Sequence, residues 1–368
     1  MNEPVATALR DAFPDRRVER ITDVGPSWNG GNETVGVVFA DGSRAFCKVA
    51  LDGDGSRIAR ERGVLRYVAA ERPIGVPTVL AADPDATVPY LVTGPAPGRE
   101  LLDVWDEVVD AERRALLRRV GSTLATLHAE RFERHGEILG LERAETGRYG
   151  ATAADESVGL ALDSAPWPDV LLSTIERTRE IGTSERLADH YTAVIDCVEA
   201  NRDRLTDAPA ALLHGDVAKP NLFVAAGSVG DDDDGDGDSI GDDDDGDGDS
   251  IGDDDDDRDS VAFIDWELAH VGDPARDLVR AEDQLLNGFD STGPERFSEA
   301  LYAGYRDRFG GLPPGFEERR PIYRAVRMLG RSGFVDQWAT YLDEPLESLV
   351  SRADAELEAR LDAVRFEE

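Results

Sequence analysis

His214-Gly-Asp-Val-Ala-Lys-Pro-Asn221, with Ile264-Asp-Trp-Glu267 and Gly272-Asp-Pro-Ala-Arg-Asp277 downstream, is the part of this chain from which the rest can be read. Asp216 offers a carboxylate that can accept or orient the proton of a hydroxyl, and Asn221 offers an amide oxygen to a hard cation. Asp265 follows a short apolar run, Val261 to Ile264, which places it at the end of a strand with Glu267 close by. His214 reads as a packing residue that seats the loop against Trp266. Asp277 reads as a brace for backbone N–H groups of the same loop. An Asx-rich turn before a strand would account for Asp216 and Asn221 alone, but not for the acidic motif that follows them.

Outward from this stretch, the basic residues divide unevenly: among 40 Lys+Arg only Lys48 and Lys219 are lysines. A chain that otherwise uses Arg keeps lysine where a compact charge on a flexible stem is wanted. Lys48 lies in a strand pattern, Ala45-Phe-Cys-Lys-Val49, and Glu61 falls early in the helix pattern that follows, so an ion pair between them would hold the ammonium ready for phosphates. Upstream, Gly30 and Gly31 stand between Asn29 and Asn32, where missing Cβ atoms let backbone N–H groups approach phosphate oxygens. Phosphoryl transfer asks for a phosphate cover, a Lys, metal-binding carboxylates and a carboxylate near the attacking hydroxyl. The sequence supplies each in chain order. Asp265 is the expected main Mg2+ ligand, with Asn221 and Glu267 as further metal donors and Lys219 as a second cation beside Asp216.

The 40% apolar content over 368 residues is enough for a buried core. Residues 1–93 alternate strand patterns with turn signals: Thr34 to Phe39, the Asp41-Gly42 turn, Arg44 to Val49, a helix over Ser56 to Ala70, and a strand over Tyr90 to Thr93. From residue 94 to 368 the pattern becomes mainly helical, with apolar residues at three and four spacing over Trp105 to Arg131, Ser184 to Arg204, Pro294 to Phe309 and Glu317 to Leu342. Two short strand patterns, Leu222 to Ala225 and Val261 to Asp265, flank residues 228–260. That tract repeats with a period of 11 and holds 18 Asp and one Arg, so it carries −17 of the net −37. Such a run is expected to be a solvated insertion in a hairpin connection. Asp232-x-Asp234-x-Asp236-Gly237 matches the start of a calcium loop, but Asp243 stands where the closing Glu belongs.

The remaining −20 still makes an acidic chain, which repels nucleic acid and anionic membrane and whose self-repulsion fades in molar salt. The expected setting is a salt-rich cytoplasm, as in halophilic archaea. Cys47 and Cys197, far apart in sequence, fit reduced thiols and not a zinc site. No apolar run approaches a membrane span, and the first 20 residues lack the apolar core of a signal peptide.

These residues resemble the aminoglycoside phosphotransferase and choline kinase-like family of small-molecule kinases, over about Ile21 to Leu342. The resemblance is firmest at His214-Gly-Asp216 with Asn221, at Ile264-Asp-Trp-Glu267 and at Gly272 to Leu278. It implies an α+β, bilobal, protein-kinase-like fold: a small antiparallel N-terminal sheet with one helix, and a larger helical C-terminal lobe. It also implies ATP and Mg2+ as cofactors, Asp216 as catalytic base, Asn221 and Asp265 as metal ligands, and Lys48 as the phosphate lysine. Tyr90 to Gly98 would be the hinge, with Thr93 facing the adenine and the Gly94 carbonyl and Ala96 N–H bonding it. His128, in Leu124-Ala-Thr-Leu-His128, would pack. Two departures are visible: Lys219 lies one residue further from Asp216 than the catalytic-loop lysine of serine/threonine protein kinases, and the glycine loop lacks a full G-x-G-x-x-G.

Two other readings are less well served. A protein kinase needs a long activation segment, and the short interval from Asp265 to Asp277 leaves no room for one. A silent nucleotide- or calcium-binding module would lack a base or a metal ligand, and none is missing. The expected acceptor is a small-molecule hydroxyl: an amino sugar, amino alcohol, sugar or hydroxy acid. Tyr323, Arg327, Asp336 and Trp338 are placed to line its site by their position after the core motifs.

Overall fold

The structure, a computed structural model, describes residues 2–23, 31–142, 159–225 and 261–365. The chain opens with α1 (Glu3–Ala12), β1 (Val18–Asp23), β2 (Asn32–Phe39), β3 (Arg44–Ala50), α2 (Ser56–Glu71), β4 (Val79–Asp83) and β5 (Tyr90–Thr93). The strands form one antiparallel sheet in the order β1-β2-β3-β5-β4. Strand alternation sorts its two faces. Val35, Val37, Phe39, Ala45, Cys47 and Val49 pack with Val5 and Leu9 of α1, whereas Phe46 and Lys48 take the opposite face. The sheet thus carries a second helix, α1, besides the one expected over residues 56–70. The expected helix, α2, buries Ile58, Val64, Leu65 and Val68, each worth about 1.5–3 kcal/mol of apolar burial.

After the segment 94–98 come β6 (Arg99–Glu100), α3 (Leu101–Trp105), α4 (Asp110–Leu127), β7 (Gly136–Leu141), β8 (Leu160–Ser164), α5 (Trp167–Ile181), α6 (Asp189–Ala200), α7 (Arg202–Thr206) and β9 (Ala211–Leu213). The chain continues through β10 (Leu222–Val224), β11 (Val261–Phe263), β12 (His270–Gly272), α8 (Pro274–Leu286), α9 (Glu295–Phe309), α10 (Phe316–Ser332), α11 (Val335–Leu342) and α12 (Leu346–Arg365). The helical C-terminal lobe foreseen from the spacing is present, in shorter pieces: the pattern over 317–342 is two helices, because the chain leaves α10 at Gly333. β10 and β11 pair antiparallel, Val224 opposite Val261, so the two ends of the acidic stretch meet as a hairpin requires. The tract itself, residues 228–260, lies outside the described residues.

The chain passes from the N-terminal sheet to the helical lobe against β10, and that approach demands glycine. Gly98 has φ of +95°, and a Cβ there would sit 2.2 Å from the Val224 carbonyl oxygen. Gly98→Ala is expected to lower the unfolding free energy by about 1–3 kcal/mol, as strain at a position that L side chains avoid. Urea unfolding in molar KCl measures it.

Candidate active site

Asp216 and Asp265 reach the site from loops that the helical lobe holds rigidly. Asp273 caps α8, accepting from the Ala275 N–H at 3.0 Å, with Pro274 at the first helical position. The first turn of α8 therefore carries Asp277 beneath the loop that follows β9. Buried Asp277 accepts from the backbone N–H of His214 at 2.6 Å and of Gly215 at 3.0 Å. Burial works against this carboxylate, but the hydrogen bond and charge of His128 hold it well below the usual carboxylate range. Gly215 itself has φ of +81°, and a Cβ would meet the Leu268 carbonyl at 2.3 Å. Only glycine turns the chain here so that Asp216 follows directly.

His214 is structural, as its sequence context suggests. Its ring lies 4.5 Å from the Trp266 ring. Nδ1 accepts from the Asp216 N–H at 3.1 Å, and Nε2 faces the Ile264 carbonyl at 2.9 Å. One nitrogen must accept and the other donate, which specifies the neutral ring, and burial depresses its pKa in the same sense. His214 thus ties the two acidic loops together, Asp216 on one side and Ile264-Asp265 on the other.

Lys48 joins the lobes. Its Nζ lies 2.7 Å from Glu61 Oε2, 2.6 Å from Asp265 Oδ1 and 3.5 Å from Glu267 Oε2. Asp265 reaches it because its backbone is left-handed, φ +64°, immediately before a single 3₁₀ turn, Trp266–Leu268. Arg60 of α2 donates to the Glu267 carbonyl and to the Ile138 carbonyl of β7, both at 3.0 Å, and so pins the helix that bears Glu61. Burial opposes the Lys48 ammonium, but Asp265, Glu61 and Glu267 together raise it well above the lysine range. Glu61 is pushed up to about 7 by burial, with Lys48 opposing and the neighbouring carboxylates adding. Asp265 is raised for the same reasons.

Three carboxylates meet one ammonium and the Arg57 guanidinium, 3.6 Å from Glu267 Oε1, which leaves one negative charge in excess, and one oxygen of each lies within 4.8 Å of the others. An all-oxygen, net-negative set of this kind suits a hard divalent cation. Glu61 stands beside the expected donors Asp265 and Glu267, and Asn221 stands with Asp216. The Asn221 side-chain nitrogen donates to the Asp216 carbonyl at 2.9 Å and to its carboxylate at 3.1 Å, so its amide oxygen is the atom left for a cation.

Other expected residues fall as follows. Asn32 is buried and donates to Glu267 Oε2 at 2.6 Å. Gly31 accepts from the Leu51 N–H at 3.0 Å, and Gly30 lies outside the described residues. Thr93 pairs with Phe46, and a cleft of about 380 Å3, lined in part by Thr22, Gly36, Val38, Arg44 and Phe46, opens on the sheet face that carries Lys48. The Gly94 N–H bonds the Thr78 carbonyl at 2.8 Å, whereas the Gly94 carbonyl and Ala96 N–H make no hydrogen bond within the described residues. Lys219 is not brought to the carboxylates: its Nζ lies over the Trp105 ring, 4.4 Å from the centroid. Its position in the 3₁₀ turn Lys219–Asn221, one residue later than in protein kinases, sends it toward α3. Tyr323 belongs to the core, donating to Asp273 at 2.6 Å and accepting from Trp167 at 2.8 Å. Asp336 accepts from Thr183 at 2.7 Å, and Trp338 packs on Phe289.

Asp216 has two partners that the motifs did not reveal. Arg280 Nη2 and Gln284 Nε2 reach its Oδ1 at 2.7 and 3.1 Å. Burial raises the Asp216 pKa, but Arg280 and Gln284 outweigh it, and the group stays ionised. The available signal was helical: Arg280 and Gln284 follow Asp277 at three- and four-residue steps on one face of α8.

An ionised acid over a helical lobe lies near Asp265, one of the carboxylates from both lobes that hold a single lysine. A family model described as the phosphotransferase enzyme family matches residues 26–231. The chain belongs to that family. This phosphotransferase is also similar in fold to solved structures. Aminoglycoside phosphotransferase APH(4)-Ia shares 14% identity and a TM-score of 0.56, over 96% of this chain and 98% of that one. The GDP and kanamycin complex of APH(2")-IIia shares 12% and 0.57, over 96% and 97%. A macrolide 2'-phosphotransferase from Brachybacterium faecium shares 18% and 0.50, over 96% and 97%. No curated protein sequence matches the phosphotransferase significantly. Among its described residues no helix is long and apolar enough to cross a membrane.

Replacing Asp277 by Asn removes the charged acceptor from two buried N–H groups and is expected to cost about 3 kcal/mol. The folded carboxylate titrates below its unfolded value of about 3.9, so its contribution is complete above that pH and is lost as pH falls toward the folded value. Urea melts of both proteins from pH 7 to 3 should therefore show the gap between them narrowing with acid.

Proposed function

We propose that this phosphotransferase moves the γ-phosphoryl group of ATP to a hydroxyl of a small molecule, with Mg2+ bound. The observation that carries the reading is Lys48 held at once by Glu61 of α2 and by Asp265 beyond β11, a single ammonium fixed by carboxylates of both lobes. Thr93 would lie at the adenine, with the Gly94 carbonyl and the Ala96 N–H bonding its edge, and Phe46 would stack on it. Lys48 would bind the α- and β-phosphates, and Gly30, Gly31 and the strand start at Asn32 would cover the phosphates.

Asp265, Glu267 and Asn221 would hold the cation, with Glu61 neighbouring it; when bound, it neutralises charge on the transferring phosphoryl oxygens. Asp216 orients the acceptor hydroxyl and takes its proton. A bond forms from the acceptor oxygen to the γ-phosphorus as the bond to the bridging oxygen breaks, and the nucleoside diphosphate leaves. Lys219, on Trp105, takes no part in this assignment. The solved neighbours, one a complex with GDP and kanamycin and one a macrolide 2'-phosphotransferase, support a small acceptor.

An ADP-release screen in molar KCl, where the acidic surface is screened, tests the assignment with ATP and GTP against hydroxylated metabolites and antibiotics. Asp216→Asn should keep nucleotide binding and lower turnover about 10²–10⁴-fold. Asp265→Asn should abolish the Mg2+ dependence of nucleotide affinity, read by calorimetry. Wild-type turnover in Asp216→Asn would refute the base.

A further inference from the structure

On one side Asp216 meets arginine, while Asp265 of the carboxylate cluster lies near it on another. α8 sets Arg280, Asp283 and Gln284 on one face, and α10 packs against it with Arg327 and Arg331 one turn apart. The Arg280 guanidinium spends Nη2 on Asp216 at 2.7 Å and Nε on Gln284 at 2.8 Å. Its Nη1 makes no hydrogen bond among the described residues. Asp283 serves three guanidiniums at once: Arg331 at 2.9 Å, Arg327 at 3.2 Å and Arg360 at 3.4 Å. Arg360 has Glu356 as a second partner at 2.7 Å. Four guanidiniums therefore share three carboxylates, Asp216, Asp283 and Glu356, and the surplus rises when Asp216 turns from Arg280 to a hydroxyl.

The surplus is reachable. Arg331 and Arg360 are buried, but the side chains of Arg280 and Arg327 keep 20% and 13% of their exposure. Burial, and then the charges of Arg280 and Arg331, pull the Arg327 guanidinium down to about 9 against Asp283 and Asp216. A buried positive charge without a full counter-ion is costly, and the planar fork of arginine fits carboxylate or phosphate in a bidentate pair. A polycationic amino sugar placed here would add like charge to the surplus.

We propose that the acceptor is an anion: a small hydroxylated molecule whose carboxylate or phosphate is held by Arg280 and Arg327 while its hydroxyl meets Asp216. This rests on the phosphotransferase reading above and narrows it. The anion also draws Arg280 away from Asp216 Oδ1, the oxygen that must accept the hydroxyl proton, so the base is released by the substrate it serves.

The test uses the full chain in molar KCl with Mg2+ and ATP. Acceptors are glycerate and tartrate as carboxylates, glycerol 3-phosphate as a phosphate, glycerol and sorbitol as neutral counterparts, and kanamycin as a cation. An anionic acceptor should exceed its neutral counterpart in kcat/KM by at least about tenfold, as a site built around buried polar groups rejects an analogue lacking their partner. Arg327→Gln should erase that preference through KM, and Arg327→Lys should restore part of it. In parallel, tartrate or glycerol 3-phosphate at constant ionic strength should raise Tm in the wild type more than in Arg280→Gln or Arg327→Gln, each checked for folding by circular dichroism. The carboxylate and phosphate arms identify which anion fits.

Kanamycin or a neutral polyol as the best acceptor, with turnover lost in Asp216→Asn, overturns the anion inference and upholds phosphotransfer. Equal anion stabilisation of wild type and Arg327→Gln also overturns it. A protein that anions stabilise but ADP does not would instead overturn the phosphotransfer reading.

Discussion

One ammonium group holds the two halves of this molecule in register. Lys48 stands in the middle of β3, yet two of its three carboxylate partners come from residues more than two hundred positions later in the chain. Removing so many charges from water is costly, and the cost is offset only if each partner keeps its place. Much of the surrounding structure does that. Arg60 ties α2 to the Glu267 carbonyl, Asn32 bonds the Glu267 carboxylate, and the left-handed backbone of Asp265 aims its side chain. The excess of carboxylate over ammonium makes this cluster strained by repulsion and receptive to a cation.

The second constraint is Asp277, which is fully buried and decides where the base lies. Its two backbone contacts fix His214 and Gly215, and His214 in turn links the Asp216 N–H to the Ile264 carbonyl. The two acidic loops, separated in sequence by the aspartate tract, are thereby locked to one ring. That tract enters and leaves through paired strands, β10 and β11, so its charge is joined to the fold at a point where a long insertion closes a loop at little added entropic cost.

Most of the helical lobe was legible because apolar residues recur at three and four spacing, and the central strands because β-branched residues alternate beside an Asp-Gly turn. Where the reading fell short, the local signal was shared or absent. β1 and β4 lie at the sheet's edges and mix polar residues with apolar ones. The short strands β7, β9 and β12 gain their identity from pairing with distant partners. Tyr323 looked like an acceptor contact by position and is a core residue, because its hydroxyl satisfies the cap of α8.

Residue types and spacing determined the chemistry that this chain has at its disposal: a lone strand lysine, an acid with an amide five residues on, a second acid closing an apolar strand, and a brace in the first turn of a helix. These are readable because each is a local pattern with a local physical cause. Only the tertiary structure decided how they combine: that Glu61 enters the carboxylate cluster, that Asn221 turns its nitrogen to Asp216, that Lys219 rests on Trp105, and that Arg280 meets the base while three arginines from α10 and α12 gather on Asp283. Those outcomes depend on long-range burial and charge neutralisation, which act between residues that the sequence keeps far apart.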